Sequence, residues 1–187
     1  MKTLITLVAL ATMLFLIVGC ADPPQQLMDE AKSALDAAKN AEADRYVPDL
    51  YNAAKKMLDD ALALVEKEKE SWFSNYDEAI NQLNAAKEAA NKATESVAAK
   101  KEEVKSAVEN MLKEIPAAVE KAKNLWKKAP RGKGTREALQ MIKNDIEKTE
   151  ASVSEVNSAL ESGDYLIARE KAQAIMKKIQ SLQSELQ

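Results

Sequence analysis

Apolar residues along this chain recur at intervals of three and four, the spacing that lays one stripe along an α-helix. Five helical segments follow from that pattern. The first spans about Gln25 to Asp44, with Leu27, Ala31, Ala34, Ala38 and Ala41 in line, and Val47-Pro48 breaks it. Pro48 is a favourable first helical residue because it has no N–H to leave unpaired, and Asp49 suits the first turn of the second helix. The stripe of that helix reads Leu50, Ala54, Met57, Ala61 and Leu64. A tip at Glu70-Ser71-Trp72-Phe73-Ser74 follows, and Ser74 with Asp77 has the spacing of a capping box.

The third segment runs to about Lys128. Its stripe is Ala79, Leu83, Ala86, Ala90, Ala93 and Val97, then Val104, Val108, Met111, Ile115, Ala118, Ala122 and Leu125. The register shifts once between Val97 and Val108, near Lys100-Lys101-Glu102-Glu103. Pro116 is expected to kink this helix or divide it near Ile115, because proline removes a backbone donor and crowds the preceding turn. At 1.5 Å per residue the segment would reach roughly 70–80 Å if straight.

The loop Ala129-Pro130-Arg131-Gly132-Lys133-Gly134 is the clearest break, and Thr135 is placed to cap the fourth helix. That helix carries a strict heptad: Leu139, Ile142, Ile146, Thr149, Val153, Val156 and Leu160. A turn at Ser162-Gly163-Asp164 leads to a fifth helix with Ala168, Ala172, Ile175, Ile179, Leu182 and Leu186 in line. The two stripes match in length and predict an antiparallel hairpin. A weak internal repeat accompanies them: Asn75-Tyr76-Asp77-Glu78-Ala79 resembles Asp164-Tyr165-Leu166-Ile167-Ala168.

The expected fold is therefore all-α, an elongated antiparallel helical bundle of coiled-coil hairpins, with two three-helix halves sharing a long central helix. Residues 27–128 would form an N-terminal bundle, and residues 135–187 a helical hairpin on the end of the third helix. Composition agrees: of 187 residues 46% are hydrophobic but only 4% aromatic, and Gly and Pro number four and five. Much of the apolar count is alanine, as in long helices.

Before the helices the chain reads Met1-Lys2, an apolar run from Leu4 to Val18, then Gly19-Cys20-Ala21-Asp22-Pro23-Pro24. The run of roughly 15 residues fits the apolar region of an export signal and is short for a spanning helix, which needs about 20. Leu16-Ile17-Val18-Gly19-Cys20 resembles the lipobox of bacterial lipoprotein signals. That resemblance implies cleavage between Gly19 and Cys20 and removal of residues 1–19. It also implies diacylglyceryl transfer to the Cys20 sulfur and acylation of the freed amine, leaving residues 20–26 as a lipidated tether. The alternative is an ordinary signal or uncleaved anchor with an incidental cysteine. In proteobacterial lipoproteins Asp directly after the Cys favours the inner membrane. Here Ala21 holds that place and Asp22 comes next, which favours the outer membrane facing the periplasm.

The segment Ala41 to Ala93 also resembles a family of uncharacterised, Ala-rich helical envelope lipoproteins. The matching residues are Ala41, Tyr46-Val47-Pro48-Asp49-Leu50-Tyr51, Ala54, Leu58, Ala61 and Tyr76-Asp77-Glu78-Ala79, with Val47 where the family has Ala. The likeness covers about a third of the chain and implies location and fold, with no activity attached.

Charge narrows the function classes. Lys2 is the one charged residue before Cys20, so the processed chain carries 26 basic against 30 acidic groups. That balance lacks the positive footprint of a nucleic-acid binder, and it makes hydrocarbon, not charge, the expected hold on a membrane. There is no histidine, the commonest general base and metal ligand, and one cysteine, so no intramolecular disulfide. Asp59-Asp60 and Glu102-Glu103 are sequence neighbours, which point about 100° apart on a helix and do not converge on one proton or metal. No metal, catalytic residue or cofactor is expected beyond the lipid on Cys20.

Two further features have two readings each. Arg131-Gly132-Lys133-Gly134-Thr135, with Lys127, Lys128 and Arg136, is either a solvated interhelical loop or a contact for anionic polymer or headgroups. It lacks the spacing and preceding strand of a phosphate-binding loop. Trp72, Phe73 and Tyr76 either close a bundle end or form a partner surface. The alanine stripe from Ala85 to Ala99 buries little area per residue, so either an envelope partner or a second copy completes it, or the bundle is marginal but self-sufficient. Together these features predict a membrane-anchored envelope lipoprotein acting as a non-catalytic structural or interaction scaffold. The alternative is a lipid- or small-ligand-binding helical carrier.

Overall fold

The computed structural model describes residues 22–132 and 134–187. The expectations for the leader, for Gly19 and Cys20, and for Lys133 lie outside the described residues. Within them every regular element is an α-helix: α1 Gln25–Asn40, α2 Ala43–Tyr46, α3 Pro48–Lys69, α4 Asp77–Lys128, α5 Arg136–Ala151, α6 Val153–Glu161 and α7 Tyr165–Glu185. The all-α expectation holds, with a long central helix of 52 residues. Two compact units divide at Val97/Ala98, inside α4 and not at the 129–134 loop.

In the first unit α1 ends earlier than the sequence suggests. Glu42 adopts the left-handed conformation (φ 70°), and the Ala41 and Glu42 amides donate back to Ala37 and Lys39. No glycine marks this stop; Glu42 forms an ion pair with Arg45 in the following turn. The turn sends Ala43 and Tyr46 inward. Pro48 then opens α3 as expected. The buried face of α3 is Ala54, Leu58, Ala61 and Val65, not Met57 and Leu64: Met57 is 40% exposed. Five large apolar residues between 57 and 65 offer two competing stripes, and packing selects the Leu58–Val65 one.

The core here joins Met28 and Ala31 of α1, Leu58, Ala61 and Val65 of α3, and Tyr76, Ala79, Leu83 and Ala86, edged by Leu27, Leu35, Leu62, Leu64 and Ile80. Within the alanine stripe Ala86, Ala90 and Ala93 are at most 1% exposed, Ala85 and Ala89 are half-buried, and Ala98 and Ala99 are exposed.

On α4 the buried positions follow heptads through Val97, continue at Val104 and Val108, and return to heptads at Ile115 and Ala122, with Val119 in place of Ala118. A heptad pattern drifts about 20° per repeat around a straight helix, and an 11-residue step such as Val97 to Val108 drifts the other way. That single step coincides with the boundary between the units. Pro116 does not divide the helix, which continues through it. The ring lies on the exposed side, next to buried Ile115, so the structure loses one backbone hydrogen bond without losing core.

The second unit packs Val108, Ile115, Val119 and Ala122 against Ile146, Val156, Ala168, Ala172, Ile175, Ile179 and Leu182. The α7 stripe matches the sequence reading as far as Leu182; Leu186 follows the end of the helix and is half-buried. The predicted fourth helix is split at Ser152 into α5 and α6. The hydroxyls of Thr149, Ser152 and Ser154 donate to the carbonyls of Asp145, Thr149 and Ala151, and such back-bonding competes with the helical ladder and bends it.

The following turn is a Schellman motif: the Asp164 amide donates to Ala159 O at 3.0 Å and the Gly163 amide to Leu160 O at 3.2 Å, with Gly163 at φ 81°. Asp164 then caps α7 by accepting from the Ile167 amide. Thr135 supplies no such cap to α5. Its Oγ1 accepts from the Gly132 amide at 2.9 Å and faces the loop carbonyls of Pro130 and Gly132.

Candidate functional site

The tip between α3 and α4 separates the three aromatic residues singled out by the sequence. Trp72 and Phe73 are 87% and 78% exposed, whereas Tyr76 is 5% exposed and belongs to the core. Tyr76 is therefore not part of a partner surface. It precedes Ala79 by three residues and Leu83 by seven, so it continues the buried stripe of α4 backwards by one turn.

The tip backbone is tied down while its two aromatic side chains project. The Ser71 amide donates to Glu68 O at 3.1 Å, the Ser71 hydroxyl to Phe73 O at 3.3 Å, and the Asn75 amide to the Glu68 carboxylate at 3.2 Å. The cap of α4 comes from Asn75, whose Oδ1 accepts from the Asp77 amide at 2.9 Å. The Ser74 hydroxyl instead points to Ser71 O. The Ser74–Asp77 spacing thus points one residue short of the side chain that serves.

The start of α1 lies at this same end of the first unit. Pro23, Pro24 and Leu27 share a surface hollow with Ile80, in the first turn of α4. Leu27 and Ile80 both pack against the core that holds Val65 and Tyr76. An ion pair of 2.9 Å between Lys87 and Glu30 fixes α1 along α4 further on. The hydrogen bond from Lys87 is the main reason the Glu30 carboxyl titrates below its ordinary value. The neighbouring trough, lined by Gln26, Ser33, Ala34, Ala37, Lys87 and Asn91 among others, is an open surface.

The basic loop of the second unit is partly engaged by its own chain. The Arg131 guanidinium sits 5.1 Å from the Trp126 ring centre, and the Lys143 ammonium 5.9 Å from it. The Trp126 indole N–H donates to Leu139 O at 2.7 Å. Beside Trp126, a hollow of about 190 Å³ is lined by Lys123, Lys127, Lys143, Ile146 and Glu147. Lys123 is paired with Glu150 at 2.7 Å.

Compared with protein-family models, curated proteins and solved structures, the chain matches none.

The carboxylate neighbours are held apart. Asp59 pairs with Lys55 at 2.8 Å and Asp60 with Lys56 at 2.6 Å, each one turn back along the helix. These contacts, hydrogen bonds first, raise both lysine pKa values. Glu103 pairs with Lys100 at 2.7 Å. Among the described residues no group of three or more His, Cys, Asp or Glu could hold a metal ion, and no helix is long and apolar enough to cross a membrane.

Proposed function

We propose that the chain is a lipid-anchored protein of the bacterial envelope whose helical units serve as a structural or protein-interaction scaffold, without catalysis. The observation that carries this reading is the stretch Leu16-Ile17-Val18-Gly19-Cys20 at the end of a short charged-then-apolar leader. Its placement supports the reading further. Cys20 stands three residues before Pro23-Pro24, and α1 opens directly after them at Gln25. A cut before Cys20 would release the whole folded chain with its thiol at the extreme N-terminus.

Two or three acyl chains on one cysteine give the dual hydrophobic attachment that stable anchoring requires, at about 0.8 kcal/mol per buried CH₂. The scaffold role is favoured by how the helices spend their surface. Apolar faces close on one another, and Asp59, Asp60 and Glu103 are bound to lysines. The carrier alternative has less support, because the hollows of ordinary ligand-pocket size, such as the trough along Gln26, Ser33, Lys87 and Asn91, lie open to solvent, and the more enclosed one beside Trp126 holds only about 190 Å³. Ala21, the residue after the lipidated position, favours the outer membrane.

The test is Cys20→Ser, with membrane fractionation and intact-mass measurement on both forms. The expected outcome is a membrane-bound, heavier wild type and a variant that is not lipidated. Equal partitioning to the soluble fraction, with the wild type at its amino-acid mass, would overturn the reading.

A further inference from the structure

The two aromatic side chains at the α3–α4 tip and the route back to Cys20 leave the first unit at the same end. Pro23, Pro24 and Leu27 border a hollow with Ile80, seven residues after Phe73, and Val65 and Tyr76 on either side of the tip lie in the core that Leu27 and Ile80 edge. From Cys20 to Pro23 the chain can span at most about 10 Å, at roughly 3.5 Å per residue. A bilayer holding acyl chains on Cys20 must therefore come close to the end that presents Trp72 and Phe73.

The chemistry of the tip fits such a surface. Trp72 and Phe73 are adjacent and 87% and 78% exposed, and the hydrogen bonds of Ser71 and Asn75 to Glu68 and Phe73 hold the backbone that projects them. An indole beside a phenyl ring, apolar with one polar N–H, is the side-chain chemistry that settles at the headgroup level of a membrane. Charge decides which lipid. Around the tip Glu66, Glu68, Glu70, Asp77 and Glu78 outnumber Lys67 and Lys69, so anionic headgroups would be repelled and zwitterionic ones would not.

We propose that Trp72 and Phe73 insert into the headgroup–acyl boundary of the same bilayer that holds the Cys20 lipid, forming a second, uncharged membrane contact that sets which end of the first unit faces the lipid. This rests on the lipid-anchor reading above. The acyl chains supply the holding strength; the tip supplies orientation.

The experiment uses the full lipidated chain in phosphatidylcholine vesicles, with Trp126→Phe leaving Trp72 as the one fluorescent indole of the two in the sequence. Flotation reports the anchor and Trp72 emission reports the tip. The expected result is flotation together with blue-shifted Trp72 emission, quenched more by bromines placed high on the lipid acyl chains than by bromines near their ends. If Trp126→Phe disturbs the fold, the difference between wild type and Trp72→Phe isolates the same signal. A chain that floats while Trp72 stays water-like and unquenched overturns the tip contact and leaves the anchor standing. Trp72 shielded before vesicles are added, with a doubled particle mass, also overturns it, in favour of a second copy. A chain that neither floats nor gains acyl mass removes the anchor, and the tip proposal falls with it.

Discussion

The indole N–H of Trp126 donates to the carbonyl of Leu139 over 2.7 Å, tying the last turns of α4 to the first turns of α5. Between them lies the 129–135 connection, in which Thr135 gives α5 no side-chain cap. Trp126→Phe keeps most of the ring packing and removes the donor. The expected loss is about 1 kcal/mol, the net value of one such bond, read as a lower urea midpoint with an unchanged slope.

The register of α3 is checked by a pair of truncations one residue apart. Leu58 is 5% exposed and Met57 is 40% exposed. Leu58→Ala should cost about 2–5 kcal/mol, as buried leucine truncations do. Met57→Ala should cost less than about 1 kcal/mol, and the alternative stripe would reverse the order. Chemical denaturation of the two variants reads the difference.

Gly163 carries φ 81° in the turn between α6 and α7, and a Cβ placed there would meet nothing within 4 Å. Gly163→Ala therefore isolates the backbone cost of the left-handed conformation, about 1–2 kcal/mol. Gly163→Asn should lose less, since asparagine tolerates that region. Thermal unfolding of both variants would show the ranking, and equal losses would point to a side-chain clash instead.

Acid should weaken the fold through cross-helix carboxylates. Lys87 lowers the pKa of Glu30, Lys178 that of Asp145 and Lys171 that of Glu155, chiefly by hydrogen bonding. A carboxyl whose folded pKa is depressed binds fewer protons folded than unfolded. Its contribution is present above the unfolded value, near 4.5 for Glu and 3.8 for Asp, and is lost as pH falls through the folded one. The combined variant Glu30→Gln, Asp145→Asn, Glu155→Gln should show a shallower loss of stability below pH 4.5 than wild type. The three carboxylates are exposed, so added salt should shrink the difference.

Legibility in the sequence tracked how many side chains competed for each face. On α7 only one line of Ile, Leu and Ala could face inward, and the buried set Ala168, Ala172, Ile175, Ile179 and Leu182 is the one the spacing predicts. On α3 Met57, Leu58, Leu62, Leu64 and Val65 are all apolar, and spacing alone could not choose among them. The stops at Glu42 and Ser152 left no periodic trace. One is a left-handed glutamate without a glycine signal, and the other arises from hydroxyls turned back on the helix. At the tip, the aromatic cluster was legible as a feature, but its division was not: Tyr76 shares the heptad of Ala79 and Leu83, while Trp72 and Phe73 fall before it. That the α1 start meets this tip required knowing how α1, α3 and α4 pack.

The two cores differ in what fills them. Around α1–α3 the buried set includes Ala31, Ala38, Ala43, Ala54, Ala61, Ala79, Ala86, Ala90 and Ala93 beside Leu58, Val65 and Leu83, whereas in the other Ala122, Ala168 and Ala172 are outweighed by Ile115, Ile146, Ile175, Ile179, Leu182 and the buried valines. Methyl groups remove far less surface from water than branched side chains do. On that ground the alanine-rich unit is expected to unfold at a lower denaturant concentration than the unit built on Ile115, Ile175 and Ile179, and hydrogen exchange along the two halves of α4 reads the difference.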